Sequence, residues 1–412
     1  MQEVQNLQTI NISNGINLHL IKAPKFKTNT IALLIRRPLS RDESTYNALL
    51  PGILRNSSNQ YDTLPKLNSA LENMYGAVYD AQILKIGEEQ ILQFYIETPN
   101  IDDNLLFTAL DFLKETLTNP LVEDEGFKNT TRQKEILQDK IKSRINDTGS
   151  YLKLKCIEIT CKDEPFGIYA DGYAEDLEAI TPQKLYAHYK QLLATSPIEL
   201  IIIGHIPNNI EEKIKHHTKD FSREAIINIP KTKQVYITEK PPTVHNENLN
   251  VSQGKICISI RVDSTNYYTL LLLNEILGGG PNSKLFINLR DKANLCYSVS
   301  SMSFRLKAMI MVQLGVDKNN FDKSIILIQK QMEQIAIGNV LDEEIDKAKN
   351  ALTGNFRVMQ DNKGQIINFY IQNFLAGNKD STDEAIKAIE NVTKEEIIQL
   401  GKSMYIDTIC TL

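Results

Sequence analysis

The stretch Leu277-Gly278-Gly279-Gly280-Pro281-Asn282-Ser283-Lys284-Leu285-Phe286, followed by Leu289-Arg290 and by Leu295-Cys296-Tyr297-Ser298-Val299, decides how the chain is read. Its three glycines invite comparison with a phosphate-binding loop. They follow an apolar helical run rather than a strand, however, and lack the G-x-x-x-x-G-K-[ST] frame, so they read as a helix end and turn. The residues after them say more. Lys284-Leu285, Leu289 and Tyr297 recur as Lys66-Leu67, Leu71 and Tyr79, each 218 residues earlier. A second correspondence lies further along: Leu177-Glu178-Ala179-Ile180-Thr181 and Ile389-Glu390-Asn391-Val392-Thr393 each open a helix that runs into a short β-like segment, and the two threonines stand 212 residues apart. Each Thr is a natural N-cap, with Lys184 and Glu396 at the third helical position, so only the second copy has the acid of a capping box. Two matches in the same order and at nearly equal offset point to an ancient duplication rather than a repeat array.

The two copies are separated by 224–248, a stretch with Pro230, Pro241 and Pro242 and no helical period, which reads as a linker between an N-terminal half, 1–223, and a C-terminal half, 249–412. A chain of 412 residues is long enough for two such cores. Residues 15–21 and 28–36 alternate like strands, 77–84 and 89–97 read as a hairpin around Gly87, and 102–116 and 127–146 carry helical spacing. The second half follows with strands at 255–262, 298–306, 309–316 and 406–412, and helices at 267–277, 283–291, 321–337 and 343–359. The pattern predicts an α+β fold of two homologous halves, each a largely antiparallel sheet with helices packed on it.

Hydrophobic residues at 42% and charged residues at 24% describe a globular chain. A net charge of -5, with basic and acidic residues interleaved, argues against a nucleic-acid partner. Apolar runs fall far short of the ~18 residues of a membrane span, and the first six residues lack a basic and apolar leader, so a cytoplasmic location is expected. Cys156, Cys161, Cys257, Cys296 and Cys410 form no C-x-x-C pair and read as buried thiols of a reducing compartment. Gly401-Lys402-Ser403 lies within a helix and lacks the first glycine of a phosphate loop. Neither a G-x-S-x-G nor a Cys-His frame stands out.

On residues 274–300, with the glycine-rich helix end, the Leu-Arg pair and the Tyr seven residues after that Arg, the chain resembles the insulinase and pitrilysin metallopeptidases, in the short two-half form of bacterial and mitochondrial processing peptidases. The resemblance spans essentially the whole chain. It implies a fold of two homologous halves and, in active members, an inverted H-x-x-E-H motif on the first helix of the first half with a distal Glu. Two His one helical turn apart meet the same zinc, and the intervening Glu deprotonates its bound water. This sequence has no such motif. The resemblance places Ala48 and Gly52 at the two His, Pro51 at the Glu, and the distal acid near Glu135 or Asp139. His19, His188, His205, His216, His217 and His245 offer no substitute set, since adjacent His216 and His217 point in different directions. No metal ligands and no resident cofactor are expected, zinc being expected only in an active partner.

In active members the second half supplies an Arg and a Tyr that hold substrate at the zinc. The matching residues are Arg290 and Tyr297, which become the candidate substrate-binding pair. Read from spacing alone, Arg290 suits a helix C-terminus and Tyr297 a strand edge. The resemblance therefore implies a noncatalytic, substrate-binding subunit with a peptide substrate and a heterodimeric partner, an insulinase-type homologue that bears the zinc motif; a homodimer is the alternative for the isolated chain. A second expectation is a purely structural or maturation scaffold, as in a Gram-positive subgroup that sits beside an active homologue and is associated with modification of elongation factor P. An independent hydrolase ranks last, because no nucleophile or metal cluster supports it.

Overall fold

The computed structural model describes residues 7–219, 221–236, 240–249 and 253–412. Residues 1–6, read above for a leader, and 237–239 of the linker lie outside the described residues. In chain order the first strands are β1 (Gln8–Ser13), β2 (Ile16–Lys22) and β3 (Thr28–Pro38), then helices α1 (Ser44–Asn56) and α2 (Leu64–Asn73), then the hairpin β4 (Val78–Ile86) and β5 (Glu89–Pro99). The hairpin is where the sequence places it, with Gly87 at φ +56° in its turn, the left-handed conformation that glycine adopts without a Cβ penalty. Helix α3 (Asp103–Thr118), the two-residue strands β6 (Val122–Glu123) and β7 (Gly126–Phe127), and helices α4 (Thr130–Ser143), α5 (Thr148–Thr160) and α6 (Pro182–Thr195) lead to β8 (Ile198–Gly204) and α7 (Ile210–Thr218). The helix expected over 127–146 starts three residues late, because Phe127 pairs with Val122 in β6 and β7.

The chain divides into two compact units, and neither is one unbroken segment. The first takes 1–142, 168–231 and 363–379; the second takes 143–167, 232–362 and 380–412. In the first, six strands lie in the order β1-β2-β8-β3-β5-β4, antiparallel except for β2 against β8. Strand β3 is buried on both faces, and its side chains alternate between two cores. Ile31, Leu33 and Ile35 face the core built with Leu49, Leu50 and Ile53 of α1, Leu106 and Leu113 of α3, and Leu185 and Leu192 of α6. Ala32 and Leu34 face the other way, with Ile21, Ile91, Ile201 and Ile203, and are covered by Ile366, Ile367, Tyr370 and Ile371 of helix α11 (Lys363–Leu375).

The second unit has β9 (Thr243–Asn246), β10 (Gly254–Arg261), β11 (Cys296–Phe304), β12 (Met309–Val316) and β13 (Tyr405–Thr411) in the order β11-β12-β10-β13-β9, antiparallel except for β13 against β9. One face is covered by α5, whose Leu152, Cys156 and Ile157 pack on Cys257, Met309, Met311 and Cys410. Helices α8 (Tyr267–Asn274), α9 (Phe321–Ala336), α10 (Asp342–Met359), α12 (Thr382–Asn391) and α13 (Lys394–Lys402) pack on one another and complete the unit. Both predicted N-caps form: Thr181 accepts from Lys184 N, and Thr393 accepts from Glu396 N within a full capping box. The five cysteines are free and buried. Arg261, 2% exposed, donates to Glu164 and Asp407 at 2.6 Å each and to the carbonyls of Thr160 and Val235. The fold is α+β, with two sheet-and-helix units whose antiparallel pairs predominate.

Candidate functional site

Helix α1 carries Ala48, Pro51 and Gly52, at the spacing that puts all three on neighbouring turns of one helix. Ala48 packs half-buried against the core of its unit, and Pro51 is buried inside the helix. A Cβ built on Gly52 would come within 2.4 Å of Gln133 Oε1, so the amide of Gln133, 7% exposed on α4, lies directly over bare helix backbone. The side chain that reaches this place is thus Gln133; Glu135 and Asp139, the expected acids, are exposed. A methyl, a pyrrolidine ring, a glycine and a neutral amide supply none of the imidazole, thiolate or carboxylate donors that bind zinc, and the group does not fit here. Among the described residues no set of three or more His, Cys, Asp or Glu is placed to hold a metal ion.

What holds α1 instead is a buried polar network that the sequence reading missed. Asn47, fully buried, donates to Gln90 Oε1 at 2.9 Å and lies 2.7 Å from His188 Nε2 through its own Oδ1. Gln90 donates on to the carbonyls of Ser44 and Ala170. Burial pushes the His188 pKa down, against the opposing pull of Glu43. Pro51 cannot donate to the carbonyl of Asn47, one turn earlier. An Asn inside an apolar helix, one turn before a Pro, was the available signal. The other histidines are engaged separately: His19 with Glu199 at 2.9 Å, His205 near Asp103, His217 with Asp111 at 2.7 Å, and His245 with Glu247 at 2.8 Å. The His216 and His217 rings are perpendicular.

Arg290 and Tyr297 belong to one continuous feature of the second unit. The expected helix over 283–291 is not regular: Phe286–Lys292 is a wide π-helical turn, with Ala293 N donating to Asn288 O five residues back. Asn294 then adopts φ +49°, a conformation Asn tolerates, and Leu295 N returns to Leu289 O. The chain enters β11, an edge strand, with Cys296 opposite Val316 and Ser298 opposite Gly315, so Tyr297 is the extra residue of a β-bulge. A bulge turns its side chain out of the sheet's alternation, and Tyr297 is 67% exposed. Arg290 is also exposed, its guanidinium 4.6 Å from the Phe286 ring centroid, a cation-π contact that steadies the side chain. Neither residue makes a hydrogen bond or ion pair among the described residues. Burial pushes the thiol of Cys296 up, and the charge of Arg290 acts against it. Chemically the pair offers a guanidinium fork and a phenolic O–H, donors suited to a peptide carbonyl, a carboxylate or an oxyanion.

The glycines before this turn have a local role. Cβ atoms on Gly279 and Gly280 would meet the carboxylate of Glu275 at 2.3 and 2.7 Å, so their absence lets that side chain fold back over the helix end. Burial there raises the Glu275 pKa.

Residues 179–352 match the family described as "Peptidase M16 inactive domain". Along nearly its whole length the chain is similar to the probable inactive metalloprotease YmfF of Bacillus subtilis, at 28% identity over 406 residues, 96% of this chain and 95% of that one. A conserved protein of Enterococcus faecalis has the same fold at TM-score 0.91 and 25% identity, covering 99% of this chain and 98% of the other. A protease from Helicobacter pylori superposes at TM-score 0.82 with 14% identity, covering 99% of both chains. The chain is thus similar, over nearly its whole length, to M16 peptidases of the insulinase and pitrilysin type, and above all to a probable inactive one, while Ala48, Pro51 and Gly52 of α1 present no zinc donor.

Proposed function

We propose that the chain is the substrate-holding subunit of a heterodimeric, zinc peptidase-like complex, lending Arg290 and Tyr297 to the zinc site of a partner that carries H-x-x-E-H. The observation behind this reading is that both residues present polar ends with no internal partner, one from an irregular helical turn and one from a bulge, where ordinary α-helix and strand would serve packing equally well. The comparisons supply a second support: Bacillus subtilis has, besides its probable inactive metalloprotease, an uncharacterized zinc protease, YmxG, that is 24% identical to this chain over 174 residues. A peptide would be the substrate and the zinc would belong to the partner.

The test is reconstitution of the purified chain with the H-x-x-E-H homologue of the same source. Peptidase activity should appear in the mixture. R290A and Y297F should each lower kcat by about 10²–10³, the effect of removing one oxyanion donor. Complexes that form normally and keep full activity with both substitutions would sink the role of the pair and favour the scaffold.

A further inference from the structure

On the same Phe286–Lys292 turn that carries Arg290, but lined by neither Arg290 nor Tyr297, the second unit contains a polar cleft of about 470 Å³ between that turn, α9 and the N-terminus of α10. This is within the size range of small-molecule sites. Lys284, Asn288 and Lys292 reach it from one wall at four-residue spacing, and Lys330, Gln331 and Gln334 from the other at helical spacing. Its one lining carboxylate is already engaged: Glu344 accepts from Lys284 Nζ at 2.9 Å through both oxygens and caps Leu341 N at 2.8 Å. Lys292 and Lys330 have no ion-pair partner among the described residues.

The amides are polarised in the same sense. Gln331, 7% exposed, accepts at Oε1 from Asn288 at 3.0 Å, and its NH2 is left without a protein partner in the cleft. Gln334 Oε1 accepts from Asn339, which leaves its NH2 free as well. Both NH2 groups are thus available to an acceptor that enters the cleft. The cleft therefore offers two ammonium groups and two amide donors, with Asn288 Oδ1 and Asn339 Oδ1 as acceptors, in a chain whose net charge is -5. A local positive field in an acidic protein concentrates anions at that place.

We infer that this cleft is a binding site for a small hydroxylated organic anion, its phosphate or carboxylate held between Lys292 and Lys330 and accepting from Gln331, its hydroxyls donating to the two Asn oxygens. The site stands independently of the role proposed for Arg290 and Tyr297.

Isothermal titration of the full chain with inorganic phosphate, with malate and with 3-phosphoglycerate tests it. One saturable site with a Kd below about 1 mM for 3-phosphoglycerate is expected. Competition by phosphate alone would assign the phosphoryl group, competition by malate alone the carboxylate, and competition by both a shared anion subsite; each supports the site. K292Q and K330Q should each weaken binding by about tenfold or more, whereas K66Q, at an exposed lysine of the other unit, should leave it unchanged. Circular dichroism of the variants separates lost binding from lost folding. Absence of saturable binding by all three probes, or binding that K292Q and K330Q leave unaltered, overturns the inference.

Discussion

Expressed without helix α11, the first unit should fail to fold. Residues 7–231 contain all six of its strands but not 363–379, which returns from far along the chain to cover the sheet face formed by Ile21, Leu34, Ile91, Ile201 and Ile203. Ile366, Ile367, Tyr370 and Ile371 of α11 are between 1% and 5% exposed. At about 1.5–3 kcal/mol for each large apolar side chain buried, the helix contributes roughly 6–12 kcal/mol, an upper figure because denatured chains are partly compact. That equals the whole stability of an ordinary domain, about 5–15 kcal/mol. The ion pair of Lys363 with Glu97 at 3.1 Å and the packing of Phe374 on His19 and Arg36 are lost as well. Urea unfolding and dye binding to exposed apolar surface would compare the 7–231 fragment, with 143–167 of the second unit replaced by a short flexible linker, with the same fragment carrying 363–379 at its end. The bare fragment should bind dye and unfold without a cooperative transition, and the extended one should recover both properties of a native domain. A cooperative, dye-free transition in the bare fragment would refute the reasoning.

Arg261 gives a second measurable effect. R261A leaves Asp407 without its cation, while Lys307 still neutralises Glu164, so unfolding free energy should fall by about 3–5 kcal/mol, with R261K intermediate; urea midpoints read this directly. His188 sets a pH response. Its folded pKa is depressed by burial below the 6.5 of the free side chain, so its contribution is complete above that value and is lost as pH falls below it. Stability should drop as pH falls below about 6.5, and H188Q, which keeps a donor for Asn47, should flatten that part of the curve.

Periodicity revealed the β4-β5 hairpin, and capping chemistry revealed the starts of α6 and α13. It did not reveal α5 or α11, nor that these helices cover sheets remote in sequence. Alternation tells which residues are buried, and in β3 nearly every residue is, but no periodicity says which distant segment does the covering. Arg290 and Tyr297 were found by resemblance, because an Arg in a last turn and a Tyr on a strand edge are ordinary residues. The π-helical turn and the bulge that expose them carry no pattern that separates them from α-helix and strand. The lysine cleft was missed for a related reason: Lys292 and Lys330 are far apart in sequence, and each alone reads as a solvated cation.

Helices α1 and α4 are joined by neutral polar contacts. Gln133 of α4 lies over Gly52, a contact that needs a residue without a Cβ, and Asn129, just before α4, donates to Ser57 Oγ, just after α1, at 3.2 Å. Asn56 closes the last turn of α1 onto Gly52 O, and the Asn47, Gln90 and His188 network fixes the turn before Pro51. Each of these contacts uses a residue type that cannot coordinate zinc from that position, or a His turned toward an amide. The residue choices on α1 are therefore mutually consistent: the bare backbone at Gly52 accommodates Gln133, and the amide network positions the helix.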